Sequence, residues 1–155
     1  MSFELEIPLE THEGYQYLVS FKEFPHNQIE YEIPLIDVSI TLMTSKIEIN
    51  SLKTLNNFIK IILDYLEKND VIIYFYCDTA PINIRKTRKQ KYSNQEFRFH
   101  LFLMMFNKQK TVDFYLQDIV INDNTNGNHY VSLISKITNK TKVEKVKSDI
   151  EKFNK

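Results

Sequence analysis

Apolar and polar residues alternate with a period of two over the first part of the chain. Phe3, Leu5, Ile7 and Leu9 form one set; Tyr15, Tyr17, Val19 and Phe21 form the next, after a turn at Glu13-Gly14. That is the pattern of half-buried strands. A third extended region alternates through Ile29, Tyr31 and Ile33, breaks at Pro34, and resumes at Ile36, Val38, Ile40 and Leu42. The period then changes. Leu52, Leu55, Ile59, Ile62 and Leu66 follow helical spacing, so a helix is expected from a cap at Asn50 or Ser51 to about Lys68. Val71 to Cys77 is apolar on both faces, the mark of a central strand covered on both sides.

Ser93 with Glu96 makes a capping-box signature for a second helix. From Phe97 to Phe106 that helix is apolar almost all round, which predicts deep burial or a covered partner. Val112 to Ile121 and Tyr130 to Ile137 read as two more strands, joined by a polar hairpin loop over 122–128. Thr141 and Glu144 form a further capping-box pattern ahead of the stripe Val143, Val146, Ile150 and Phe153. The predicted order is β-β-β(β)-α-β-α-β-β-α. It describes a single α+β domain over residues 1–155 with a mostly antiparallel sheet.

Composition sharpens this picture by exclusion. The chain has 155 residues, 43% of them apolar, including 11 Phe and 9 Tyr, enough for a packed core without a staple. Cys77 is the single cysteine, which excludes an intrachain disulfide and a cysteine-cluster zinc site and fits a reducing compartment. No apolar run reaches the roughly 18 residues of a membrane span. The acidic, alternating start is unlike a signal peptide, so a cytoplasmic protein without membrane partners is expected. The only glycines are Gly14 and Gly127, and the only alanine is Ala80. Glycine loops that cradle phosphates cannot be drawn from so few, and no nucleotide cofactor is expected.

The formal charge is zero but segregated. Residues 1–37 hold eight acids against Lys22 alone, and residues 79–110 hold eight bases against Glu96 alone. Such a molecule can pair with a copy of itself or offer its basic part to a polyanion.

The candidate chemistry follows the central strand. Cys77, Asp78 and Thr79 stand at its end, and the basic tract Arg85, Lys86, Arg88, Lys89 and Lys91 comes next. A reactive thiolate needs a cation or a helix N-terminus, whereas Asp78 beside Cys77 opposes ionisation, so Cys77 reads as a small core residue. Asp78 and Thr79 suit turn bonding. Arg98 is expected to pair with an acid such as Asp78, as a structural pair or as an anion clamp. The basic tract, with Tyr92 to stack a base, could hold nucleic acid. His12, His26, His100 and His129 lie in separate elements without metal-ligand spacing, so no metal site is expected.

Two segments, Val71-Ile-Ile-Tyr-Phe-Tyr-Cys77-Asp78-Thr79 with the tract and helix after it, and Tyr130-Val131-Ser132-Leu133-Ile134 with the terminal helix, resemble a family of small bacterial proteins known as a domain of unknown function. That family often has Asp-Gly-Arg after the Cys-Asp and Trp-Phe ending the helix; this chain has Pro81-Ile82-Asn83 and Met105-Phe106. The family supplies no activity. The β-α-β-α-β-β middle also resembles the core topology of the GCN5-related acetyltransferases. There a glycine-rich loop before the first helix holds the carrier pyrophosphate; the loop here, Thr44 to Asn50, has no glycine. The reading that follows is a non-enzymatic protein-interaction or homo-oligomerising domain. Polyanion binding through residues 85–91 and a degenerate acetyltransferase-like enzyme are the alternatives.

Overall fold

The computed structural model describes residues 4–11, 14–24, 32–43, 52–76, 94–109, 112–123, 125 and 128–153. Strands β1 (Leu5–Glu10), β2 (Gln16–Glu23) and β3 (Leu35–Leu42) lead to helix α1 (Leu52–Lys68), then β4 (Ile72–Tyr76) and helix α2 (Asn94–Gln109). Strands β5 (Phe114–Ile121) and β6 (His129–Lys136), a 3-10 turn (Ile137–Asn139) and helix α3 (Lys140–Phe153) complete the order. This is the expected α+β arrangement. The terminal capping box is displaced: the 3-10 turn carries the chain into α3 at Lys140, so Thr141 lies inside the helix rather than at its cap.

Among the described residues, six strands form one sheet in the order β1-β2-β3-β4-β6-β5. β1, β2 and β3 are an antiparallel meander. β3 and β4 are parallel, paired from Leu35–Ile72 to Val38–Phe75, with α1 as the crossover between them. β4 pairs antiparallel with β6, and β5 lies outside β6. β4 therefore sits centrally, as its unbroken apolar run required.

Alternate strand residues feed two cores. Tyr17, Val19, Phe21, Ile36, Val38, Ile73, Phe75 and Ile134 face α1 and α2. Leu35, Ile72, Ile119, Val131 and Leu133 pack with Val143 and Val146 of α3. Helix α2 is not buried all round. Phe99, Phe102, Met105 and Phe106 form its inner stripe, while Met104 is 46% exposed. Its end is tied to α1 where the Gln109 amide donates to the Asn56 side-chain oxygen at 2.8 Å. The Asn139 amide donates to the Asp70 carboxylate at 2.7 Å and fastens the 3-10 turn to the start of β4. Among the described residues no helix is long and apolar enough to cross a membrane.

The β1–β2 hairpin turns on Thr11 and Gly14. The Gly14 N–H donates to the Thr11 carbonyl at 3.0 Å, and the Tyr15 N–H donates to the Thr11 hydroxyl at 3.1 Å. Gly14 has φ of 89° with open space where a Cβ would go, so only the backbone opposes a side chain there. Gly14→Ala is expected to lower stability by about 1 kcal/mol, read as a lower urea midpoint with unchanged slope.

Candidate functional site

β4 delivers its last described residue, Tyr76, to the edge of the α3-side core. Cys77, Asp78, Thr79 and the basic residues Arg85, Lys86, Arg88, Lys89 and Lys91 lie outside the described residues. The main chain of Arg98 belongs to α2; its side chain, and with it the expected pair to Asp78, also lies outside them.

Three polar side chains meet at this end of the sheet. Tyr76 and Val131 are register partners, and His129 opens β6 two residues earlier on the same face. The Tyr76 phenol is hydrogen-bonded to Nδ1 of His129. On the other side of the ring, Nε2 lies 2.9 Å from Oδ2 of Asp123. The His129 and Asp123 side chains are 27% and 26% exposed.

The hairpin loop fixes Asp123. Its Oδ1 accepts the Thr125 N–H at 2.9 Å, and its own N–H donates to Oδ1 of Asn128 at 3.4 Å. One carboxylate oxygen thus organises the loop and the other meets the imidazole. A carboxylate only accepts, so the neutral ring carries its proton on Nε2; Nδ1 then has a lone pair and accepts the phenol proton. The chain of bonds runs from the phenol through the imidazole to the carboxylate.

Hydroxyl groups continue this polar band across the sheet. Ser39 and Tyr76 each stand one residue past the last β3–β4 ladder pair, Val38–Phe75, and Ser20 pairs with Ser39 on β2. Ser20 is 6% exposed. Asp37, opposite Lys22 in the β2–β3 register, has its carboxyl raised by burial, an effect the lysine charge partly offsets. Ordinary sequence reading misses the triad because His129 looks like one of four scattered histidines and Asp123 like a loop residue. The hairpin pairing Ile121–His129 hints at the Asp–His contact, but Tyr76 joins only through the β4–β6 ladder.

The sheet edges differ in chemistry. β1 carries Pro8 at its middle and exposed Glu6 and Glu10 along it, with exposed Glu4 just before it. β5 is eight residues without proline or lysine, with Asp118 as its single charge. Among the described residues β5 pairs only with β6. Val120 on β5 is 46% exposed, and Val112 just before it is 89% exposed. At the opposite end of β6 from Tyr76, a shallow cleft of about 300 Å³ is lined by Glu67, Asp113, Phe114, Lys136, Ile137 and Thr138, at the lower limit of ligand clefts. Among the described residues no group of three His, Cys, Asp or Glu side chains stands together to hold a metal ion.

Compared with protein-family models, with curated proteins and with solved structures, the chain matches none.

Proposed function

We propose that the chain is a protein-interaction domain that assembles with a second copy of itself through the outer edge of β5. The observation that carries this is the contrast between the two edges. A strand edge presents N–H and C=O groups that template pairing, and proteins blunt such edges with proline, charge or cover. β1 has proline and acids; β5 has neither proline nor more than one charge.

Register supports a closed pair. A two-fold axis normal to the sheet places each β5 residue opposite one of the same parity. Centring on Asp118 would set two carboxylates against each other, which is unfavourable. Centring on Gln117 sets it against its own copy, and brings Phe114 opposite Val120 and Tyr115 opposite Ile119 of the second copy. Pairing of β5 with β1 of another copy, which would grow a filament, is opposed by Pro8.

Sedimentation velocity tests this. The wild type should be dimeric, and Val120→Lys on the exposed edge should give a monomer, while Glu6→Lys on β1 leaves the dimer intact. Because backbone pairing is weakly screened, the dimer should persist in high salt. A wild type that is monomeric throughout, or a dimer that salt dissolves, would remove the β5 edge; the second result would point instead to pairing between acidic residues 1–37 and basic residues 79–110.

Strand order favours a second reading. The order β1-β2-β3-β4-β6-β5, with β3 and β4 parallel around α1, supports the acetyltransferase-like reading of the β-α-β-α-β-β middle, for which a parallel pair at β4 is required. β3 runs on to Leu42 beside β2, four residues past its last described pair with β4. The loop that would hold a carrier pyrophosphate keeps no glycine and has Ile47 and Ile49. A thermal-shift titration with an acyl-carrier nucleotide separates the readings. A concentration-dependent rise in Tm supports a retained carrier site, and a flat response supports a core that works by binding alone.

A further inference from the structure

The Asp123, His129 and Tyr76 chain lies beyond the Ile121 end of β5, on the side of β6 and β4, and involves none of the β5 residues whose outer edge was read as an assembly surface. Its order is that of a base-activated nucleophile: carboxylate, imidazole, hydroxyl. We propose that Tyr76 is a base-assisted phenol that accepts an acyl group from an activated ester, with His129 taking its proton and Asp123 holding the imidazole. Three observations carry this. The imidazole is bonded on both nitrogens, so its tautomer is set. The Asp123 carboxylate is itself fixed by the Thr125 N–H. The His129 and Asp123 side chains keep about a quarter of their surface in solvent, so the group is not sealed in the core.

The step balances within these groups. The Tyr76 oxygen bonds to the carbonyl carbon, and the acidic phenolate-type leaving group of the activated ester departs with its bonding pair. The phenol proton passes to Nδ1 of His129, and the resulting imidazolium is held against the Asp123 carboxylate until the proton leaves to the departing oxyanion. Tyr76 and His129 touch the reacting atoms; Asp123 is a positioning residue. Half-buried Ser39 stands beside Tyr76 on the same face, which suits an ester with a polar acyl part.

The bland alternative is a hairpin clasp, and one substitution separates the two. In His129→Gln the amide N–H can still donate to Asp123 and its oxygen can still accept from Tyr76, but glutamine cannot take up a proton. The full chain is incubated with p-nitrophenyl acetate, and acetylated peptides are mapped by mass spectrometry over time. Tyr76 should be labelled fastest among the nine tyrosines of the chain. His129→Gln should slow that labelling about 100-fold at unchanged thermal stability, the scale of general-base assistance. Asp123→Asn should also slow it and Asp123→Glu restore part of the rate, a carboxylate requirement that a mere clasp would not impose on acylation. Labelling of tyrosines in proportion to exposure, or Tyr76 labelling unchanged in His129→Gln, would overturn the proposal.

Discussion

Phe102→Ala is expected to remove a large part of the folding stability. Phe102 is 1% exposed and sits where three elements converge. Its ring lies 4.9 Å from Phe75 of β4, 6.3 Å from Phe58 of α1 and 6.1 Å from Phe106, one turn further along α2. Phe58 and Phe75 are themselves in edge contact at 5.2 Å. Truncation to alanine forfeits the transfer free energy of the ring and leaves a cavity bordered by three other rings, which cannot all collapse into it. Such changes cost about 3–5 kcal/mol, against a total of about 5–15 kcal/mol for a domain of this kind. The loss should appear as a large fall in urea midpoint with unchanged slope. Met104→Ala, two residues along on the exposed face of the same helix, should change stability by less than about 0.5 kcal/mol. A loss below about 1 kcal/mol at Phe102 would mean that α2 does not seal this core.

The contrast between Phe102 and Met104 also shows what pattern reading resolves and what it does not. Phe99, Phe102, Met105 and Phe106 follow helical spacing, but Leu101, Leu103 and Met104 fill the gaps, so the sequence looks apolar all round and the solvent face disappears. The strands were easier. β2 and β3 bury one face in the α1–α2 core and alternate accordingly, and β4 is apolar on both faces because helices cover both. Strand order was harder. β6 inserts between β4 and β5, a non-sequential neighbour that local periodicity does not encode. The same gap hid the polar site: Asp123 and His129 flank one hairpin, but Tyr76 reaches them from a strand 53 residues away in the chain. Cys77, Asp78 and Thr79 lie outside the described residues, and the side chain that meets the imidazole is Tyr76, the residue before them.

Alkaline pH should unfold the protein partly through one phenol. Tyr65 of α1 is 4% exposed and stacks on Phe21 with ring centroids 4.0 Å apart and planes 7° apart. Burial, and secondarily the Glu23 charge, push its pKa from 10.0 up to about 12. The folded state therefore holds the phenol proton more tightly than the unfolded chain does. Its contribution is fully present below the unfolded pKa near 10, and is lost as pH rises through the folded value near 12. Over that window the loss is roughly 2–3 kcal/mol, from about two pH units of differential proton binding. Tyr65→Phe keeps the stacked ring and removes the proton. Urea midpoints measured from about pH 9 to about pH 12 should fall less steeply in the variant than in the wild type. Tyr115, also raised by burial, titrates in both proteins and leaves the difference intact. Parallel alkaline limbs in the two proteins would mean that Tyr65 ionises with equal ease folded and unfolded. The ring stack on Phe21 would then be open to water when the anion forms, and the β2–α1 contact would be looser than its burial implies.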